Sequence, residues 1–362
     1  MVIKLPKPID WTLYLVAVAL TGLGVAVLSS IELTLRTQLI SNQFIFITIG
    51  LVFMVLLTFL DYRTFRALAY YLYGLLLLAF VLVIFFGTKV LGATRWIDVG
   101  LFQFQPSELF KPIFIMTLAR YLSESATQHI RLGLAIVFLT IIPVGLVMKQ
   151  PDLGTAGILL LIALVMISLK GLPRRVWLVG GIIVLLAAPL LFTHLKPYQK
   201  DRLRTFLNPA ADPLGVGYNI NQSLIAIGSG GIYGRGLGQG SQSQLQFLPV
   251  AHTDFIFAGV AEATGFIGSI LLIALLVFLV LRVLNVARVS QDEFGYYFAF
   301  GIAVLYFAQA SINIGVNLGL LPATGVPLPL VSYGGTQTIT SFATIGILQS
   351  IYLRHKKIRF TA

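Results

Sequence analysis

Carboxylates are scarce in this chain, so their positions narrow the available chemistry at once. Its 362 residues hold 13 Asp and Glu, 25 Lys and Arg, four His and no Cys. Without Cys there are no thiolate nucleophiles, disulfides, iron–sulfur clusters or Cys-based zinc sites. His129, His194, His252 and His355 are dispersed. Neither H-E-x-x-H nor G-x-S-x-G occurs. What remains is acid–base work by a carboxylate and anion binding by cations.

Asp254 is the leading candidate base. It lies in Leu248-Pro249-Val250-Ala251-His252-Thr253-Asp254-Phe255-Ile256-Phe257. Phe255, Ile256 and Phe257 would strip water from one side of it. Desolvation raises a carboxylate pKa and makes a better base near neutral pH. The alternative is an N-cap, by Thr253 or Asp254, on the helix that follows. Glu262 comes eight residues later. A continuous helix would separate the two Cα atoms by about 12 Å and rotate them by about 80°. That does not suit a glycosidase pair, whose carboxyls stand about 5–9.5 Å apart.

Glu108 and Lys111 are three apart in Gln105-Pro106-Ser107-Glu108-Leu109-Phe110-Lys111-Pro112, so on a helix they share a face. Proline and an acid in a first turn suit a helix start. The pair either fixes this helix or touches a substrate. In Lys149-Gln150-Pro151-Asp152-Leu153-Gly154-Thr155, Asp152 suits an N-cap with Thr155 three residues on. Capping gives no account of Lys149.

Lys196, Lys200, Arg202 and Arg204 precede a glycine-rich run, 228–238, that contains Arg235. The run has neither a βαβ context nor the Lys-Ser/Thr of a P-loop. Glycine amides beside arginines suit a pyrophosphate. The alternative is a glycine turn whose cations meet lipid headgroups.

The elements that must carry these residues are apolar. Hydrophobic residues make up 57% and charged residues 10%, against about 25% charged in soluble domains. Mean hydropathy is +0.92. A soluble enzyme and a disordered chain are both excluded. The net charge of +12 reads as loop residues that set membrane orientation, and no nucleic-acid module accompanies it.

The expected fold is all-α: one polytopic integral membrane domain over 1–362. Ten transmembrane helices are expected at about 11–31, 43–60, 68–88, 106–122, 132–148, 153–170, 176–195, 252–281, 295–315 and 335–353. The first is too long for a signal-peptide core and is expected to stay. The eighth is long enough to tilt or break. Basic residues concentrate in the loops that share a side with the termini. Both termini are therefore expected in the cytoplasm, and the large, ordered loop 196–251 outside. Within that loop, 218–227 suits a short amphipathic helix. Glu108 and Glu262 fall inside spans, where ionisable residues are functional hypotheses by default.

Several long motifs in order carry a family resemblance. They are GATRWID at 92–98, QPSELFKP at 105–112, KQPDLGTA at 149–156, GYNINQSLIAIGSGGIYGRGLG at 217–238, HTDFIFA at 252–258 and PATGVPLPLVSYGG at 322–335. Together they resemble the SEDS family (shape, elongation, division and sporulation), most of all its rod-shape members, over nearly the whole chain. Departures include Val250 and Ala263, where the family usually has acids.

The resemblance implies a bacterial cytoplasmic-membrane glycosyltransferase that polymerises lipid II into glycan strands for cell-wall elongation. It implies a class B penicillin-binding protein as transpeptidase partner. It maps the essential aspartate onto Asp254, the motif tryptophan onto Trp96, and the helix-four pair onto Glu108 and Lys111. Asp254 is then the expected general base. Trp96, Lys111, Lys149, Arg202, Arg204 and Arg235 are the substrate-binding candidates, and Glu108, Asp152 and Glu262 the supporting acids. No metal ligands are assigned; a divalent cation, magnesium or manganese, stays open as the sole cofactor. The rival readings are a flippase for the lipid-linked precursor and a non-catalytic scaffold for the penicillin-binding protein.

Overall fold

The structure, a computed structural model, describes residues 9–35, 38–90, 93–98, 100, 103–125, 129–171, 200, 202, 204–206, 216–245, 247–248 and 250–354. Helices dominate it. They are α1 (Trp11–Leu35), α2 (Leu39–Phe59), α3 (Tyr62–Phe86), α4 (Pro106–Glu124), α5 (His129–Lys149), α6 (Leu153–Ser168), α7 (Val216–Gly230), α8 (Ser241–Gln244), α9 (Ile256–Val289), α10 (Glu293–Asn317) and α11 (Gly335–Leu353). Helices coincide with nine of the ten expected spans. The remaining one, 176–195, lies outside the described residues.

Side-chain caps set several helix starts. Asp61 accepts from the Arg63 amide at 2.9 Å and starts α3 at Tyr62, ahead of the expected 68. Asp292 accepts from the Gly295 amide at 2.8 Å and starts α10. An N-cap oxygen satisfies an amide the first turn leaves open. The amphipathic stretch expected at 218–227 is α7.

Among the described residues, α1, α2, α3, α9 and α10 are long and apolar enough to cross a membrane. α2 buries only 22% of its span inside the protein, whereas α10 buries 67%. The difference separates a lipid-facing rim from a packed centre, because apolar side chains facing lipid need no protein partner. The centre comprises α10 and α4, with α11 packed on α2 and α4. Phe110, Phe114, Phe298, Phe342 and Leu348 are fully buried there.

Two features go beyond straight helices. The all-α expectation fails at 88–104, where β1 (Thr88–Val90), β2 (Ala93–Asp98) and β3 (Gln103–Phe104) form an antiparallel sheet in the order β1-β2-β3. The β-branched and aromatic residues Thr88, Val90, Thr94, Trp96, Ile97 and Phe104 suit strands. The Asp98 carboxylate accepts from the Gly100 amide at 2.8 Å and turns the chain.

The second feature is the break in α9. Gly265 stands at φ 68°, ψ −163°, a conformation open essentially to glycine alone. The glycine run docks into this break. The Arg235 amide donates to the Glu262 carbonyl at 2.9 Å, and the Gly236 amide to the Ala263 carbonyl at 3.0 Å. The Phe266 amide donates to Gly231 at 2.9 Å, and that of Ile267 to Ile232 at 3.2 Å. A broken membrane helix must have its freed backbone groups satisfied by protein.

Candidate active site

Asp254 lies in the turn that leads into α9. The helix begins at Ile256, and its N-cap, Phe255, makes no side-chain cap. Neither Thr253 nor Asp254 is therefore the N-cap, and the capping alternative falls. The Asp254 backbone is instead held from two sides. Its carbonyl accepts from Asn313 Nδ2 and Asn317 Nδ2, each at 2.9 Å. These asparagines are one turn apart on α10 and so project together. Asn317 Oδ1 also accepts from the Ala258 amide at 3.0 Å, fixing the first turn of α9. On the other side, Ser332 Oγ donates to the Thr253 carbonyl at 2.7 Å, and the Tyr333 amide donates to His252 at 2.9 Å. These clamps fix the backbone that carries the Asp254 side chain.

Around the carboxylate the charges are mixed. Phe255, Ile256 and Phe257 are buried, while Asp254 keeps partial exposure. Burial pushes the Asp254 carboxyl above the ordinary carboxylate range, and Arg202 and then Arg95 pull it back. Arg95 comes from β2. Its Nη1 lies 3.8 Å from Asp152 Oδ1 and its Nε donates to the Gln150 carbonyl at 3.3 Å. Its remaining nitrogen, Nη2, donates to Pro151. Asp152 caps α6 as expected, accepting from the Thr155 amide at 3.1 Å and the Thr155 hydroxyl at 2.9 Å. Arg202 Nη1 donates to the Ala323 carbonyl at 3.2 Å.

Gly325 closes this group. A Cβ placed on it would stand 3.7 Å from Asp254 Oδ2 and 3.8 Å from Arg95 Nη1. Its φ of +74° is one that glycine takes at no steric cost. The 322–335 segment thus brings its backbone between base candidate and cation.

The other sequence candidates separate. Glu108 and Lys111 are buried in α4 and pair at 2.7 Å. Glu262 is fully buried, and its carboxylate accepts from the Gln242 amide at 2.8 Å, the Ser243 amide at 3.0 Å and the Ser243 hydroxyl. It holds α8. Trp96 is a partly exposed residue of β2 whose carbonyl accepts from Thr88 Oγ1 at 3.2 Å. Lys149, Arg204 and Arg235 are exposed; Arg235 Nε donates to the Ser229 carbonyl at 2.9 Å.

Sequence reasoning missed Arg95, Asn313, Asn317 and Gly325 as site residues. Arg95 lies inside the GATRWID motif, where neighbours in sequence give no sign of its partners. Two asparagines four apart in an apolar span were the available signal for Asn313 and Asn317.

For a divalent cation the donors fit poorly. Among the described residues no three His, Cys, Asp or Glu gather as a metal group. Asp152, the acid that acts on Asp254, already has both oxygens engaged by Thr155 and faces Arg95. The arrangement is that of a carboxylate balanced by guanidinium groups.

Known proteins share this architecture. The FtsW, RodA and SpoVE family, described as cell cycle proteins, matches residues 10–357. The peptidoglycan glycosyltransferase MrdB of Escherichia coli K12 is 42% identical over 319 residues, covering 86% of this chain and 85% of its own. A probable peptidoglycan glycosyltransferase FtsW of Trichlorobacter lovleyi is 37% identical over 356 residues, covering 94% and 92%. A chain from a peptidoglycan synthase complex, solved for the coordination of polymerization and crosslinking, superposes with TM-score 0.81. It is 33% identical and covers 95% of this chain and 97% of its own. The rod-shape-determining protein RodA of Thermus thermophilus gives TM-score 0.72 at 31% identity, covering 96% and 98%.

Proposed function

This chain belongs to the FtsW, RodA and SpoVE family and is a membrane-embedded peptidoglycan glycosyltransferase; from that premise we propose that it polymerises lipid II with Asp254 as general base. The observation that carries the role of Asp254 is its setting. It is a partly exposed carboxylate, raised by burial, on a clamped backbone, with Arg95 and Arg202 acting on it. A base needs a pKa near working pH and a fixed position.

In the proposed step, Asp254 takes the proton from the acceptor sugar 4-hydroxyl. The oxygen attacks the donor's anomeric carbon from the face opposite the pyrophosphate. The carbon–oxygen bond to the polyprenyl pyrophosphate breaks, and the configuration inverts. Arg202 binds the leaving pyrophosphate, where bidentate guanidinium contacts are strong. Lys149, Arg204 and Arg235 are exposed cations that guide the anionic headgroup toward it. Trp96 lines the approach from β2. Lys111, engaged by Glu108, holds α4 rather than substrate. The positive-inside count supports cytoplasmic termini, with the 196–251 loop and Asp254 on the outer side of the bacterial cytoplasmic membrane. The similarity to the synthase complex supports a class B penicillin-binding protein as partner, and the rod-shape relatives support a role in elongation.

The test is polymerisation of labelled lipid II by purified protein and a partner lacking its own glycan synthase. Wild type should give a glycan ladder and Asp254→Asn none at equal folded protein. A ladder of normal intensity from Asp254→Asn would overturn the base assignment.

A further inference from the structure

We propose that Gln337 is a positioning residue for this reaction, coupling the buried Glu108–Lys111 pair to the turn that holds the backbone of His252 and Thr253, just before Asp254. The proposal rests on Asp254 being the reactive carboxylate. Gln337 sits in the first turn of α11, almost fully buried. One end of its amide serves the active-site turn: Nε2 donates to the Leu328 carbonyl at 3.2 Å. The other end, Oε1, has no hydrogen-bond partner among the described residues. Gln337 lines a small cavity together with Glu108, Lys111, Pro112, Leu305 and Gln309. A buried, unmatched carbonyl is costly, and the donors that line this cavity, Lys111 among them, are the groups within its surroundings that could meet it. Lys111 and Glu108 bring their ion-paired charges to this same cavity.

The path onward is short. Leu328 O also accepts from the amides of Val331 at 3.3 Å and Ser332 at 3.1 Å, closing a tight turn. The Leu328 amide donates to Ser332 Oγ at 2.9 Å. Ser332 Oγ in turn donates to the Thr253 carbonyl, whose residue precedes Asp254. Within the turn Leu330 has φ +64°, a position that favours glycine. Such strain persists where the surroundings over-determine it. Gln337 supplies the one donor to Leu328 O from outside the turn's own backbone among these contacts. Without it, the strained turn loses a restraint, and so does the backbone next to Asp254.

The experiment measures turnover, KM for lipid II and the pH–rate profile of Gln337→Met, Ser332→Ala and the double variant, with Asp254→Asn alongside. Gln337→Met should lower turnover about five- to tenfold, the equivalent of one lost hydrogen bond, with KM within about twofold. The acid limb of its pH profile should move. The double variant should be no worse than the slower single variant, since both cut one path. Unchanged turnover and pH profile in Gln337→Met, or losses that multiply, would overturn the coupling. If Gln337→Met does not fold, Gln337→Asn, which keeps the amide but withdraws it by one carbon, is read by the same criteria. An active Asp254→Asn sinks the base reading itself. A silent Gln337→Met beside an inactive Asp254→Asn sinks only the coupling.

Discussion

Asp254 and Glu262 are two acids eight residues apart on one short stretch of chain, and the protein treats them in opposite ways. Glu262 is fully buried and its carboxylate is occupied by three donors from Gln242 and Ser243. Asp254 is held by its backbone carbonyl, through Asn313 and Asn317, and keeps partial exposure. Glu262 ties α8 and the glycine run to the upper half of α9. Asp254 stands at the start of that half beside two arginines. One acid is consumed in structure so that the other can be positioned without being consumed. For a buried acid, the informative question is which of its atoms the fold uses.

The largest effect that can break this comparison is on turnover. Asp254→Asn should lose about 10²- to 10⁴-fold in lipid II polymerisation, the usual contribution of a general base. Its thermal unfolding in detergent should not fall. A variant that unfolds earlier instead would make Asp254 a structural acid like Glu262.

Arg95→Gln comes next, at about 10- to 100-fold, because a charge-assisted contact is worth about 1.5–3 kcal/mol. Arg95 favours the ionised form of Asp254. Its removal should raise the Asp254 pKa further, so the acid limb of the pH–rate profile should move to higher pH. An acid limb that stays in place would separate Arg95 from Asp254 and leave it as a tie between β2 and the 150–152 corner.

Glu262→Gln sharpens the contrast from the other side. The amide keeps one acceptor but turns an NH2 toward backbone donors, at about 1–3 kcal/mol for each donor left unmatched. The expected result is earlier unfolding, with turnover per folded molecule within a few-fold of wild type. Loss of turnover at normal stability would place Glu262 in the reaction.

Much of this was legible in the sequence, and the reasons differ by region. Apolar runs of the right length marked nine described helices, because lipid imposes a length and composition that sequence shows directly. Asp152 and Asp254 stood out because ionisable groups are rare here. The sheet at 88–104 was missed because its strands are of two to six residues, too short for a periodic signal. Arg95 was missed because its role depends on the 150–152 corner and on Gly325, which are distant in sequence. Gly265 illustrates the middle case. The length of α9 left room for a tilt or a break, and which of them occurs, and where, depends on where the 231–236 backbone docks.

The smallest effect concerns stability and pH. Burial raises the Asp254 pKa in the folded protein above its unfolded value. The folded state therefore holds the proton more tightly than the unfolded state does. The stability that this residue gives is fully present below the unfolded pKa and is lost as pH rises through the folded one. Asn resembles the protonated acid and carries no such loss. Wild type and Asp254→Asn should thus unfold at similar temperatures in acid, and the variant should become the more stable as pH rises toward neutral. Thermal unfolding of both in detergent across that range is the measurement. A gap that is absent or reversed at neutral pH would mean that Arg202 and Arg95 outweigh desolvation. Asp254 would then be an ion-paired acid, too weak a base for the chemistry proposed, and its likeness to Glu262 would be closer than its exposure suggests.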